Sequence, residues 1–230
     1  MVRGTASSAG GRGGHPPAGG PPGARGGDAP GLEPVEASAT EFPELLQGAP
    51  SVTKRAYDAV PLASRPAATR GAVLTHLVRE LDERRHPDAV FADAEPGRTI
   101  NGDLRGKHQA PYDWLRGEVR VACKTSLLRY DKSTSRWIVK FTNVKLAHGD
   151  EPAAFDELQL ALMTPRGVYL YRHGLEAGVS TRGKRTASAG HAIQFRGACG
   201  EEDWEAALNQ ILSKMEQLGC ERLAMVRWAP

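Results

Sequence analysis

Asp113 and Lys124 are the residues of this chain whose types and spacing could support hydrolytic chemistry. The Asp stands ahead of Trp114-Leu115-Arg116-Gly117, and Lys124 lies in the alternating run Val121-Ala122-Cys123-Lys124-Thr125-Ser126. Paired carboxylates can hold Mg²⁺ or Mn²⁺, which neutralises a scissile phosphate and lowers the pKa of an attacking water. A lysine on the same strand face can orient that water or stabilise the charge of the transition state. The second carboxylate belongs two residues before the lysine, because alternate side chains of a strand share a face. Ala122 occupies that position. Glu118 shares the face but lies roughly 13 Å away along a strand, too far to replace it.

These residues need a hairpin to hold them. Tyr112-Asp113-Trp114 reads as the end of one strand, Arg116-Gly117 as a turn, and Glu118 to Thr125 as the return strand. Val119, Val121 and Cys123 form an apolar face, and Glu118, Arg120, Ala122 and Lys124 form a face expected to be polar. Cys123 therefore reads as a small buried hydrophobe and not a nucleophile. Ahead of the hairpin, Arg70–His86 places Val73, Leu74, Leu77, Val78 and Leu81 on one helical stripe. Arg79, Asp82, Glu83 and Arg84 lie opposite it, Glu80 lies at its edge, and Pro87 closes the helix.

Behind the hairpin, residues 136–145, 155–163, 168–171 and 191–196 read as further strands. Residues 201–219 read as a helix with Trp204, Leu208, Ile211 and Met215 on its buried stripe, and 222–228 as a closing strand. The expected fold class is α/β, a central mixed sheet flanked by helices.

The chain has 230 residues and a net charge of +3, a balance that permits a nucleic-acid partner without requiring one. Its three cysteines fit neither a disulfide framework nor a zinc site, and favour a reducing, intracellular setting. No apolar run approaches the ~18 residues of a membrane span. Residues 1–65 are rich in Gly and Pro and read as a disordered tail and linker, with 66–230 as the folded domain. A transit peptide or an RNA-contacting tail fits residues 1–30 less well, for want of an amphipathic helix and of interleaved aromatics.

The order of elements around Asp113 and Lys124 resembles the restriction-endonuclease-like, or PD-(D/E)XK, nuclease superfamily. Pro111-Tyr112-Asp113 and Ala122-Cys123-Lys124 stand where its motif is found, and the resemblance covers roughly residues 70 to 228. It implies an αβββαβ core and a metal-dependent nuclease acting on DNA or RNA. It further implies Mg²⁺ or Mn²⁺ on Asp113 and Glu80, with Asp113, Lys124 and Glu80 as the catalytic set. Because Ala122 breaks the motif, a relocated acid from Glu80, Asp156 or Glu157 is required for activity. The alternative is a catalytically inactive nuclease-fold domain that binds nucleic acid or a protein partner. Arg105 and Lys107 ahead of the hairpin, and Arg182, Lys184 and Arg185 in an acid-free loop, are the expected phosphate contacts. A homodimer is compatible with this scheme. Read without the resemblance, Asp113 braces the turn at Arg116-Gly117 and Lys124 is a solvated strand lysine.

Overall fold

The computed structural model describes residues 35–38, 55–94, 112–145, 154–174 and 191–228. The expected helices form α1 (Ala67–Arg85) and α2 (Trp204–Gln217). In chain order the strands are β1 (Val35–Ser38), β2 (Phe91–Asp93), β3 (Trp114–Arg116), β4 (Val119–Leu127) and β5 (Arg129–Asp131). They continue with β6 (Arg136–Val144), β7 (Glu157–Met163), β8 (Gly167–His173), β9 (His191–Gly197) and β10 (Cys220–Arg227).

A seven-stranded mixed sheet in the order β1-β10-β8-β7-β4-β3-β2 forms the centre of an α/β fold. The pairs β4/β7 and β1/β10 are parallel and the other neighbours antiparallel. A second sheet, β5-β6-β9, is antiparallel throughout. The β3/β4 hairpin turns at Gly117, whose φ of +59° a side chain would disfavour.

Both faces of the central sheet are covered. On one, Leu74, Leu77, Val78 and Leu81 of α1 pack on Val121, Cys123, Ala161 and Met163. On the other, Trp137, Val139 and Phe141 of β6, Phe195 of β9 and Ile211 and Met215 of α2 pack on Ala122, Leu158 and Leu160. Each fully buried large apolar side chain contributes roughly 1.5–3 kcal/mol relative to exposure. Two-sided burial explains why Leu158 to Met163 is buried without interruption. It also corrects the expectation that Ala122 and Lys124 share a polar face, since β6, β9 and α2 roof that side.

Packed structure begins ahead of residue 66. Tyr57 and Leu62 are buried in the core beneath α1, and the Tyr57 hydroxyl donates to the Leu128 carbonyl at 2.6 Å. Among the described residues no helix is long and apolar enough to cross a membrane.

The seam between β9 and α2 leaves no room for a methyl group at Gly197. A Cβ there would lie 2.7 Å from both the side chain and the carbonyl oxygen of Ala207. We expect Gly197→Ala to push α2 off β9 and cost about 1–3 kcal/mol in urea unfolding at unchanged m-value. A variant as stable as the wild type would mean that the seam is loosely packed.

Candidate functional site

Asp113 immediately precedes β3 and is fixed by the hairpin itself. Its amide donates to the Val121 carbonyl at 2.8 Å, and its Oδ2 accepts from the Cys123 amide at 2.6 Å. Burial pushes the carboxyl above its ordinary range, while the Cys123 amide and the charge of Lys124 pull the other way. Asp113 and Lys124 are thus near enough to interact electrostatically. No ion pair within 4.0 Å joins them among the described residues.

The remaining members of the expected site are not assembled around Asp113. Ala122 is 1% exposed, pairs in register with Leu158 of β7, and belongs to the apolar core between the two sheets. Glu80 rides on α1, which covers the Cys123 face of the sheet; Lys124 alternates onto the other face. Its Oε1 lies 3.0 Å from His76 Nε2 one helical turn away. Asp156 accepts from the Arg120 amide at 2.9 Å and from the Arg120 guanidinium at 2.9 and 2.7 Å, which holds its carboxyl below the ordinary range. Glu157 is a neighbour of Val121 in register, on the α1 face, and is engaged by Arg116 and Gln159. Glu118 is exposed in the turn. Among the described residues no three of His, Cys, Asp or Glu come together as a metal-holding group. Asp113 gives one oxygen to a backbone amide, and Glu80, Asp156 and Glu157 each face a partner of their own, so among the described residues these carboxylates do not converge as a donor set for Mg²⁺ or Mn²⁺.

Cys123 is 5% exposed, and burial raises its thiol far above the usual value. It is the inert core residue that the alternation predicts. Arg105, Lys107, Arg182, Lys184 and Arg185 lie outside the described residues.

The structure adds a polar network that pattern reading missed. Asp82, expected on the outer face of α1, is 1% exposed. Its Oδ2 accepts from Trp114 Nε1 at 2.9 Å, and its Oδ1 from Arg116 Nη1 at 2.6 Å and Gln159 Nε2 at 3.2 Å. Arg116 Nη2 donates to Glu157 Oε2 at 2.7 Å, and Gln159 Nε2 to Glu157 Oε1 at 2.7 Å. Burial favours protonated Glu157, but hydrogen bonds and charge from Arg116 outweigh it and the carboxyl titrates below its ordinary range. Beside it His86 is lowered by burial and by Arg116. This arrangement clamps α1 to β3 and β7, and its carboxylate oxygens are occupied. Gln159 was the visible signal: an amide in the middle of Leu158-Gln159-Leu160-Ala161 needs a buried partner.

A second missed feature is electrostatic. Trp137, Val139 and Phe141 of β6 face the core between the sheets, so Arg136, Ile138 and Lys140 alternate onto the other face, where Arg136 and Lys140 are exposed and Ile138 is buried beneath its neighbours. Register brings Arg129 of β5 and Arg196 of β9 beside Ile138, and Gln194 beside Lys140. The outer face of β5-β6-β9 therefore carries Arg129, Arg136, Lys140 and Arg196. Among the described residues Asp131 is the acid beside them in strand register, and its oxygens accept from Ser133 and Thr134.

No protein-family model, curated protein or solved structure matches this chain. The function therefore has to be read from these residues alone.

Asp113→Asn separates the structural role of this residue from a metal-binding one. The Asn oxygen can still accept from the Cys123 amide, and the buried charge is gone. A carboxyl raised by folding contributes stability below its unfolded pKa and loses that contribution as pH rises through the folded value. The variant should therefore match the wild type at acidic pH and equal or exceed it, by up to about 1 kcal/mol, at neutral pH. A neutral-pH loss that depends on added Mg²⁺ would instead indicate a metal ligand.

Proposed function

We propose that this chain is a nucleic-acid-binding domain with a restriction-endonuclease-like core that lacks a metal-dependent phosphodiesterase centre. The observation that carries the first half is the outer face of β5-β6-β9. Arg129, Arg136 and Lys140 are exposed there, Arg196 is half-buried, and they have no carboxylate ion pair among the described residues. Such a face suits phosphate contacts, which supply affinity without base readout.

The family reading of the fold is supported by α1, the β3/β4 hairpin with Asp113 and Lys124, and β7 lying parallel to β4. Among the described residues the route from β4 to β7 passes through two strands of a second sheet, and α2 follows later in the chain. Loss of catalysis follows from Ala122. A carboxylate at that position would be held inside an apolar core, where it could not meet solvent, metal or substrate. One observation favours the catalytic alternative, the electrostatic proximity of Asp113 and Lys124.

Fluorescence anisotropy with labelled single-stranded DNA and RNA tests the binding half. The affinity should fall with salt at a log–log slope of about −3 if four phosphates are neutralised. The charge-reversed variant Arg136→Glu/Lys140→Glu/Arg196→Glu should lose most of both the affinity and the slope. Salt-independent binding, or binding unchanged in that variant, would overturn the nucleic-acid assignment and leave a protein partner for the inactive domain.

A further inference from the structure

The basic face runs into a cavity of about 430 Å³ where β9 meets the carboxyl-terminal end of α2. Arg136, Arg196 and Lys214 line it, together with Gln194, Phe195, Gln217 and Leu218, and no acid lines it among the described residues. We infer that this cavity is a nucleoside-phosphate site, in which the three cations hold the phosphate and the two amides and Leu218 meet the nucleoside. The inference rests on the reading of the β5-β6-β9 face as a phosphate-contacting surface.

Three features of the cavity argue for this ligand class. Its volume lies near the lower end of the range for small-molecule sites, roughly 300–1,000 Å³, which suits one nucleotide unit and excludes a duplex. Cations from two strands and a helix converge on it, so an anion would meet a preformed site. Two carboxamides can each donate and accept, as the edges of a base require. Lys214 has a local role to weigh against this one, because a cation in the last turn complements the negative end of a helix dipole. Its Nζ instead donates to the Arg196 carbonyl at 2.5 Å, bending across to β9. That contact keeps its charge at the cavity wall and leaves its other two protons for a ligand.

Calorimetric titration of the full chain with adenosine 5′-monophosphate and with adenosine tests the site. The nucleotide should bind and adenosine should bind roughly tenfold or more weakly, as expected when a charge-assisted phosphate contact is lost. Lys214→Glu should abolish nucleotide binding, while Arg84→Glu, on α1 across the central sheet, should leave it unchanged. Gln217→Trp, which fills the cavity from an exposed position, gives the same answer if Lys214→Glu does not fold. Displacement of the bound nucleotide by a single-stranded oligonucleotide identifies a strand as the source of the phosphate; failure to displace identifies a free nucleotide. Equal affinity for nucleotide and adenosine, no nucleotide binding, or unchanged binding in the Lys214→Glu and Gln217→Trp proteins would overturn the inference. Oligonucleotide binding that is lost in Lys140→Glu, in a protein that does not bind the mononucleotide, would overturn the cavity site and preserve the sheet-face reading.

Discussion

Ala122→Glu should unfold the protein and should not create a nuclease. The substitution restores the acid of the nuclease motif on paper, yet Ala122 lies 1% exposed beside Leu158, Leu160 and Phe141. An ionised carboxylate there would sit among apolar side chains of the core between the two sheets. The extra side-chain volume must also be accommodated between two packed sheets. Burying an unpaired charge shifts its pKa upward and costs several kcal/mol. Set against a typical stability of about 5–15 kcal/mol, that loss is enough to remove the cooperative thermal transition at neutral pH. Lower pH should restore part of the stability, since the raised Glu becomes neutral. Ala122→Leu, apolar but oversized, should lose less, about 1–3 kcal/mol. A folded Ala122→Glu protein with new Mg²⁺-dependent cleavage would contradict the burial of this position.

Arg116→Met should be the second large effect. The guanidinium stands between Asp82 and Glu157, donating at 2.6 and 2.7 Å. Removing it leaves two buried carboxylates facing each other across Gln159. Breaking a buried pair by deleting one partner typically costs about 3–5 kcal/mol. The pH dependence gives a sharper signature than the magnitude. In the wild type Glu157 titrates below its ordinary value, so its contribution is present above about pH 4.3 and is lost as pH falls through the folded value. Without Arg116 burial dominates and the carboxyl rises, so the variant should gain stability as pH falls towards about 4.3 from above, where the Glu157 contribution of the wild type is constant. In urea titrations the expected result is a wild-type loss of stability below about pH 4.3 and a variant gain on approaching that pH from above. Parallel slopes would mean that Arg116 does not hold Glu157 in its charged form. Arg116→Met/Asp82→Asn should recover part of the loss, because one of the stranded charges is removed.

The elements themselves were legible because their periodicities are strong. Leu74, Leu77, Val78 and Leu81 announce α1, and the alternation of Val119, Val121 and Cys123 announces β4 with its inward face. What the alternation could not convey is that the other face of β4 is also covered. Lys124 and Arg120 suggested solvent, and Ala122 is equally at home in a core or at a surface. The roof comes from β6 and β9, distant in sequence, whose own inward faces were read without knowing what they meet. Asp82 was misread for the converse reason. It borders the apolar stripe of α1, and only the fold brings Trp114, Arg116 and Gln159 around it. The basic face is written in Arg136-Trp137-Ile138-Val139-Lys140, whose terminal cations alternate with the core-facing Trp137 and Val139. Arg129 and Arg196 join them only through strand register.

Binding without cleavage is the central claim, and one tube can test it. The purified full chain is incubated with end-labelled single-stranded and duplex oligonucleotides in Mg²⁺ and, separately, in Mn²⁺. Binding is read by anisotropy and integrity by denaturing gel. The expected result is salt-sensitive binding with every oligonucleotide intact, unchanged in Asp113→Ala provided that protein remains folded. Metal-dependent cleavage that disappears in folded Asp113→Ala and Lys124→Ala proteins would contradict the account and return Asp113 and Lys124 to a catalytic role.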